Sequence, residues 1–444
     1  MERMTQQDYE ILRLEDDVTA AHGLAVGIFD GPEPSFDDLI ERVADRVRLV
    51  PRYRQRLMEV PFDIERPVWV DDPNFSIDFH VRHTALPSRK SRDPFNAFIS
   101  RVLSQRLDRG KPLWELWLVS RLPKKQWAIV SKAHYSIIDG VSGTDVLGLL
   151  ADDVVAHETV GRRMPTPLPG TSKLITDAVT DLLFDPIETA RAAYSVATKP
   201  LRLAQSVASS ILDAGDPNAL GQAVGPHRKW QSAAVSLNDL RAVRDAHGCS
   251  TTDVILACVG GGVRNYLNEN GKPLPKSIDV VVPLAVGAAS GGLSGQVTTL
   301  TATLPIGEPD PSTRLALIHA QTSSGAAATG AIAGRVLRRQ ENFVAPSILG
   351  QGVRSTMLEA RGRRRADTVA INVPGPEKTI EVLGYPMVET YPVIPLANGV
   401  RMAMAAMSLE DTVYFGITAD FDSTTGLRHA SAGVSNTVGE LLAS

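Results

Sequence analysis

The stretch Lys132-Ala-His-Tyr-Ser-Ile-Ile-Asp-Gly-Val-Ser-Gly143 holds the most informative chemistry in the chain. It overlaps the end of a β-like apolar run, Trp127–His134, and precedes an apolar segment, Val146–Ala151, that predicts a helix. A histidine, a tyrosine and an aspartate therefore stand where a strand passes into a loop. Catalytic and binding side chains are found disproportionately on such loops, because the rigid elements that flank a loop hold it in position. The stretch predicts a functional site at the end of a strand.

Length and composition exclude several classes of protein. The chain has 444 residues and a net charge of −4, which predicts two or three domains of about 100–200 residues each and argues against nucleic acid as a partner. Cys249 and Cys258 are too few for a disulfide framework or a cysteine zinc site, so a reducing compartment is expected. Met1–Glu15 lacks the basic start and apolar core of a secretory signal, and apolar stretches such as Val280–Ala289 are shorter than the about 20 residues of a membrane-spanning helix. We therefore expect a cytoplasmic protein.

Helix and strand signals alternate without a regular repeat, which predicts two α/β lobes. In the first lobe, Ser35 is typical of a helix N-cap before apolar residues at helical spacing, and Leu113–Leu122 forms a β-like run. The breaker Met164–Gly170 precedes interrupted helical patterns. In the second lobe the patterns predict helices over 237–247, 252–268 and 425–442, and strands over 277–286, 297–304, 369–373, 402–407 and 412–418. We predict a first lobe over 1–161, a helical connection over 162–230 and a second lobe over 231–444.

Other motifs lack the spacing that their chemistry needs. Val259-Gly-Gly-Gly262 does not have the spacing of a dinucleotide or phosphate loop, and Gly140-Val-Ser-Gly143 is one residue short of a nucleophile elbow. His80 and His83 have no second pair of metal-ligating residues near them in the sequence. We expect neither a metal nor a bound cofactor.

The stretch around His134 resembles the His-His-x-x-x-Asp-Gly signature of the coenzyme-A-dependent acyltransferase superfamily, and more closely that of the bacterial wax ester synthase/diacylglycerol acyltransferase family. Further segments are similar to that family in the same order, and these are Pro51–Leu57, Arg66–Asp72, Phe79–Arg82, Leu107–Glu115, Asn372–Pro376 and Tyr391–Pro395. The resemblance covers nearly the whole chain. It implies a two-lobed acyltransferase-like α/β fold, in which each lobe is a mixed sheet with helices and a cleft lies between the lobes.

The resemblance also implies an activity and a set of site residues. The activity is acyl-CoA-dependent O-acyl transfer, which makes triacylglycerol from diacylglycerol or a wax ester from a long-chain alcohol. In the family, the second histidine of the signature takes the proton of the attacking alcohol, the aspartate holds the loop through a buried ion pair, and the glycine permits a tight turn. The implied site comprises the catalytic residues His134, Tyr135 and Asp139 and the substrate-binding residues Gly140, Asn372 and Gln296.

The chain departs from the family pattern at the position of the base, which is Tyr135 here. A histidine with a pKa of about 6.5 can take a proton at neutral pH, whereas a tyrosine with a pKa of about 10 is protonated and makes a poor base. Adjacent side chains on a strand face opposite sides, so we expect His134 to face away from the place that Tyr135 occupies. Gly287 and Gln296 are further departures, at positions where the family often has arginine and asparagine.

Three functional hypotheses therefore stay open. The first is a working O-acyltransferase, and the second is a relative that binds acyl chains or acyl-CoA without turnover, or that regulates an active homologue. The third is a condensation domain of peptide or polyketide assembly, which Pro112–Glu115 and Asn372–Pro376 disfavour because they resemble the lipid family.

Two segments bear on membrane contact. Arg335–Arg365 holds eight arginines and two glutamates, and 174–212 carries apolar faces at helical spacing. A solvated basic face and internal packing are the simple interpretations. The functional interpretations are capture of coenzyme A phosphates and peripheral contact with an anionic membrane or a lipid droplet at the inner face of the membrane.

Overall fold

Two six-stranded sheets and one three-stranded sheet carry the helices in the part of the chain that the structure describes. The structure is a computed structural model, and it describes residues 2–138, 146–154, 166–184, 220, 224–286, 296–328, 367–373, 375, 379–396 and 399–444. The strands are β1 Glu2–Arg3, β2 His22–Phe29, β3 Gln55–Met58, β4 Val68–Asp71, β5 Val81–Ala85, β6 Trp114–Ser120, β7 Trp127–His134, β8 Arg228–Ser236, β9 Ile278–Val286, β10 Gln296–Leu304, β11 Thr368–Val373, β12 Glu381–Val382, β13 Tyr385–Val393, β14 Met402–Leu409 and β15 Thr412–Asp420. The helices are α1 Gln6–Leu12, α2 Phe36–Val47, α3 Asp93–Ser104, α4 Val146–Leu149, α5 Thr171–Phe184, α6 Leu237–His247, α7 Thr251–Glu269, α8 Pro311–Ala328 and α9 Arg428–Leu442.

The first sheet has the strand order β12-β13-β2-β7-β6-β5. The hairpin predicted around residues 113–134 is confirmed, because β6 and β7 pair antiparallel and a short 3₁₀ turn, Pro123–Lys125, joins them. Helix α2 begins where the sequence predicts, since the Ser35 hydroxyl accepts a hydrogen bond of 3.0 Å from the Asp38 N–H. Every residue of β7 is buried. Strand β7, in the middle of the first sheet, therefore places His134 in a buried position.

The second sheet has the order β10-β9-β11-β14-β15-β8. The helices predicted over 237–247, 252–268 and 425–442 correspond to α6, α7 and α9, and the five predicted strands correspond to β9, β10, β11, β14 and β15. Both lobes are mixed: β11 runs parallel to β9 and β14, whereas β9 and β10 pair antiparallel. The predicted α/β class with two sheet-containing lobes is confirmed.

One segment of the predicted second lobe lies in the first sheet. Strand β13 pairs antiparallel with β2, with Tyr391 opposite Val26, and β12 extends the sheet beyond it. The boundary that assigns all of 231–444 to the second lobe is therefore wrong for 381–393. An apolar strand has the same pattern whichever sheet it joins, because its partner is chosen by long-range backbone hydrogen bonds that the pattern does not encode.

Much of the predicted connection over 162–230 lies outside the described residues, as do the basic segment 335–365 and Gly287. Within the connection the structure describes α5, and Leu174 of this helix packs against Val68 and Val70 of the three-stranded sheet. In the described part of the chain, no helix is long and apolar enough to cross a membrane.

The glycine run Val259–Gly262 has a packing role. It lies inside α7, where α9 crosses so closely that a Cβ atom added at Gly261 would stand 1.8 Å from the Thr437 hydroxyl oxygen. An added Cβ at Gly433 of α9 would likewise stand 2.6 Å from the Gly261 carbonyl oxygen. The glycines let the backbones of α7 and α9 approach closely. Helix packing is therefore sufficient to explain the glycine run.

We expect Gly261→Leu to lower the free energy of unfolding by about 1–3 kcal/mol or more, since overpacking at a close helix crossing forces the helices apart. The measurement is the midpoint of chemical denaturation. Gly439→Ala in α9 is the matched control: no atom lies within 4 Å of an added Cβ there, and alanine is the better helix former, so this variant keeps or slightly raises the stability. Equal loss in the two variants would contradict the packing role.

Candidate active site

Strand β7 and its neighbour β2 position the two aromatic side chains of the signature. His134 is the last residue of β7 and pairs with His22 of β2. Beyond it, the Tyr135 N–H donates a hydrogen bond of 2.9 Å to the Ala21 carbonyl, which continues the pairing by one residue. Because successive side chains of extended backbone face opposite sides, the two rings point into different surroundings.

Both ring nitrogens of His134 face buried polar partners within the first lobe. Nδ1 accepts a hydrogen bond of 3.0 Å from the Ser136 N–H and lies 2.7 Å from the Ser136 hydroxyl oxygen. An Nδ1 that accepts from a backbone N–H carries the lone pair, so the ring proton is assigned to Nε2. Nε2 lies 3.5 Å from a carboxylate oxygen of Glu15, and the ring is only 1% exposed. As predicted, His134 faces away from Tyr135.

Glu15 is the buried anion of this arrangement. One of its oxygens accepts from the Ala21 N–H at 3.0 Å, and the other lies 2.7 Å from Nη2 of Arg109. Burial by itself raises the pKa of Glu15, but the facing His134 imidazole, followed by the hydrogen bonds from Arg109 and Ala21, holds that pKa well below its usual range. Glu15 therefore stays ionised and holds the His134 imidazole in place from the side of Nε2.

A polar row continues along the same face of the sheet. His22 Nε2 lies 2.9 Å from the Leu103 carbonyl oxygen, and burial, with the charge of Lys132, holds the pKa of His22 well below its usual value. The Lys132 ammonium donates to the carbonyls of Val102 and Gln105, and burial lowers its pKa to about 8. This face of β7 is thus anchored to the end of α3, and it is closed to a substrate.

Tyr135 faces the second lobe. Its side chain is 2% exposed and belongs to an apolar cluster that both lobes share. This inter-lobe cluster consists of Ile11, Ala21, Tyr135, Val369, Ile371, Ile394, Leu396, Val400, Ala403 and Ala405. The phenol lies over the backbone of Gly23, where an added Cβ would stand 2.3 Å from the Tyr135 hydroxyl oxygen. Tyr135, not His134, is therefore the aromatic side chain of the signature that reaches the region between the lobes.

Of the remaining predicted site residues, Gln296 and Asn372 lie in the second sheet. Asp139 and Gly140 lie outside the described residues. Gln296 is the first residue of β10 at the edge of the second sheet. Asn372 of β11 lines a small apolar cavity of about 10 Å³ with residues of α7 in the second lobe. Its neighbour Ile371, in contrast, belongs to the inter-lobe cluster.

The Asn372–Pro376 motif also contains a close backbone contact. The Gly375 N–H donates a hydrogen bond of 2.9 Å to the Ser408 hydroxyl, and an added Cβ would stand only 1.3 Å from the Ser408 carbonyl oxygen. Gly375 therefore packs directly against the backbone of β14, next to the end of β11.

The Pro-Leu-Trp-Glu block, Pro112–Glu115, has a packing role. The indole N–H of Trp114 donates to the Tyr53 carbonyl at 2.8 Å, and its ring stacks on His80 with centroids 4.5 Å apart. Nδ1 of His80 lies 2.8 Å from the Trp114 carbonyl oxygen. Among the described residues, no group of histidines, cysteines or acids could hold a metal ion.

Sequence reasoning missed Glu15, His22 and Gly23. Glu15 lies in a polar segment whose pattern predicts an exposed position. A single glycine or histidine in an apolar run does not by itself indicate a site residue. The register of β2 against β7 locates His22 and Gly23, since it sets His22 opposite His134 and Gly23 opposite Ala133.

The chain matches known proteins along most of its length. Residues 4–255 match the profile of the wax ester synthase/diacylglycerol acyltransferase catalytic domain, and residues 294–436 match that of the C-terminal domain of the same family. A probable diacylglycerol O-acyltransferase of Mycobacterium tuberculosis is 29% identical over 452 aligned residues, which cover 100% of this chain and 96% of that protein. A second probable diacylglycerol O-acyltransferase of that species is 32% identical over 268 residues, which cover 56% of this chain and 98% of that protein.

Solved structures share the fold. The wax ester synthase/diacylglycerol acyltransferase from Marinobacter aquaeolei VT8 superposes with a TM-score of 0.67 at 22% identity, over 99% of this chain and 98% of that one. The first condensation domain of the calcium-dependent antibiotic synthetase superposes with a TM-score of 0.56 at 13% identity, over 100% of this chain and 96% of that one. At these identities the likeness concerns the fold alone.

Proposed function

Because the chain belongs to the wax ester synthase/diacylglycerol acyltransferase family, we propose that it transfers an acyl group from acyl-CoA to the hydroxyl of diacylglycerol and so makes triacylglycerol. The observation that carries this proposal is the match to both family domains, together with relatives named diacylglycerol O-acyltransferase that align along the whole chain. This full-length similarity does not favour the alternative of a relative that only binds acyl chains.

The reaction has a simple balance. The oxygen of the acceptor alcohol attacks the thioester carbonyl, a carbon–oxygen bond forms and the carbon–sulfur bond breaks. The proton of the alcohol ends on the sulfur of coenzyme A. A base that takes the proton during the attack accelerates such a reaction by about 10²–10⁴-fold.

In this site the two aromatic residues have different roles. Tyr135 marks the reacting centre, because its hydroxyl is on the side of β7 that faces the second lobe. As a protonated phenol it donates a hydrogen bond and orients the substrate, and it is a poor base. His134 is a positioning residue, since its nitrogens face Ser136 and Glu15. The alcohol proton then passes to the departing thiolate without a histidine relay, which makes turnover slow.

The other site residues and the surroundings complete the proposal. Asp139, Gly140, Asn372 and Gln296 are assigned to the site by the family resemblance alone, and Asn372 lines a cavity within the second lobe. The protein works in the cytoplasm, in peripheral contact with the membrane or lipid droplet that supplies its acceptor. The family resemblance and the basic composition of 335–365 support this placement.

The test is steady-state release of thiol from a long-chain acyl-CoA by the purified full chain, with and without diacylglycerol. We expect slow release that depends on the acceptor, with triacylglycerol as the product. A parallel reaction with a long-chain alcohol identifies wax ester synthesis. If the protein binds acyl-CoA but neither acceptor increases the release of thiol, the proposed activity is contradicted and the binding-only alternative is supported.

A further inference from the structure

A cavity of about 570 Å³ opens at the end of β7 that is remote from the signature. It is lined by Asp30, Gly31, Pro32, Glu33, Arg89, Arg121, Lys124, Lys125, Gln126 and Trp127. A strand rises about 3.3 Å per residue, so Trp127 and His134 at the two ends of β7 lie roughly 23 Å apart. The cavity is therefore separate from the reacting centre.

The cationic side chains of the cavity are unpaired within the described part of the chain. Arg89, Arg121, Lys124 and Lys125 make no hydrogen bond or ion pair there through their side chains. With Asp30 and Glu33 also in the lining, the cavity has an excess of two positive charges in a chain of net charge −4, and this excess favours an anionic ligand.

The two carboxylates of the cavity already have partners. Asp30 accepts a hydrogen bond of 2.8 Å from the Gln126 side-chain amide. Glu33 accepts from the Ser120 hydroxyl and lies 2.9 Å from Nε2 of His83. Within the described residues, neither carboxylate forms an ion pair with the four cations.

Trp127 is a rigid part of the cavity lining. Trp127 is 1% exposed, and its indole Nε1 is buried without a hydrogen-bond partner. An indole N–H can only donate, and a buried donor without an acceptor is costly. Trp127 is held rigidly, because its ring stacks on Phe29 with centroids 4.5 Å apart and meets Tyr385 edge-on at 5.6 Å. The buried ring therefore forms a firm wall for the cavity.

The backbone of the hairpin is also unusual. Arg121, Lys124 and Lys125 have φ values of 63°, 58° and 61°, in the left-handed region that side chains other than glycine rarely adopt. Strained residues of this kind cluster at ligand sites, where surrounding structure maintains them. Here the strain falls on three of the four cations.

We propose that this cavity binds a phosphate-bearing molecule through Arg89, Arg121, Lys124 and Lys125, at a site separate from the acyl-transfer centre. A phosphate presents several acceptor oxygens and negative charge, which suit a set of donors with no acceptor of their own. The volume falls within the usual range of small-molecule pockets, about 300–1,000 Å³, so the ligand is a phosphorylated small molecule or the head group of a phosphomonoester lipid. The inference does not rest on the proposed function.

The test uses two probes on the full chain. Inorganic pyrophosphate, titrated calorimetrically at low salt, tests for a soluble phosphate ligand. Co-sedimentation with phosphatidylcholine vesicles, with and without phosphatidic acid, tests for a lipid head group. We expect saturable binding of at least one probe, and about tenfold or more weaker binding by the double variant Arg121→Gln/Lys124→Gln, because two charge-assisted contacts are lost.

Matched variants separate the pocket from general surface charge. Lys90→Gln/Lys276→Gln removes two exposed cations outside the cavity and should bind like the native chain. Arg89→Gln removes a lining cation from a different loop and should weaken binding even if the hairpin variant folds poorly. Pyrophosphate binding assigns the site to a soluble phosphate, and vesicle binding assigns it to a head group. Binding of neither probe, or equal loss in the control pair, would overturn the proposal.

Discussion

Tyr135→His is expected to raise the rate of acceptor-dependent thiol release by about 10²–10⁴-fold, the usual contribution of a general base. The side chain at position 135 faces the inter-lobe cluster, and an imidazole there fits within the space of the larger phenol. A histidine at this position can take the alcohol proton at neutral pH, which the phenol cannot. The measurement is the initial rate with long-chain acyl-CoA and diacylglycerol for the two proteins side by side.

Tyr135→Phe is the control for this gain. It keeps the ring and removes the hydroxyl, so it should lower whatever activity depends on the phenol and provide no base. If Tyr135→His is no faster than the native chain while both remain folded by circular dichroism, the proton acceptor lies elsewhere and the assignment of position 135 is wrong.

Glu15→Ala is expected to lower the free energy of unfolding by about 1–3 kcal/mol at neutral pH, the usual cost of leaving a buried hydrogen-bonding group without its partner. The side chain of Glu15 is only 9% exposed and faces the His134 imidazole, and its oxygens also meet Arg109 and the Ala21 N–H. The variant leaves the buried Ala21 N–H and His134 Nε2 without that carboxylate. Thermal and chemical denaturation measure the loss. A variant as stable as the native chain would show that Glu15 does not hold the signature in place.

The pH dependence provides a sharper test with Glu15→Gln. Because the folded protein lowers the pKa of Glu15, the ionised carboxylate stabilises the fold at pH values above the ordinary glutamate pKa of about 4.3. That contribution is lost as the pH falls below this value toward the lowered pKa of the folded state. The native chain should therefore lose stability more steeply than Glu15→Gln as the pH falls below about 4.3. If the stabilities of the two proteins fell in parallel with pH, Glu15 would not be a buried, ionised carboxylate that stabilises the fold.

The sequence predicts those parts of the fold that local patterns encode. The N-cap at Ser35, the strands β6 and β7 and the helices α7 and α9 all follow from spacing and turn residues, whereas their pairing does not. The opposite orientations of His134 and Tyr135 also follow from the alternation of strand side chains.

Features that depend on distant partners could not be predicted in this way. The insertion of β13 beside β2, the carboxylate of Glu15 behind His134 and the contact of Gly23 with the phenol each join segments far apart in the chain. Their side chains carry no local signal, since a glutamate or a glycine in these segments has an ordinary alternative on the surface or in a strand.

The insertion of β13 also determines when the first sheet can be completed during synthesis. Strand β2 ends at Phe29, whereas its neighbour β13 begins only at Tyr385. At a translation rate of about 5–20 residues per second, β2 waits on the order of 20–70 s for that neighbour. During this interval β2 is an unprotected edge next to the completed strands β6 and β7, and such edges pair with other chains. A ribosome-bound or truncated first half therefore needs shielding by a chaperone, and the two halves of the gene should yield soluble protein only when they are expressed together.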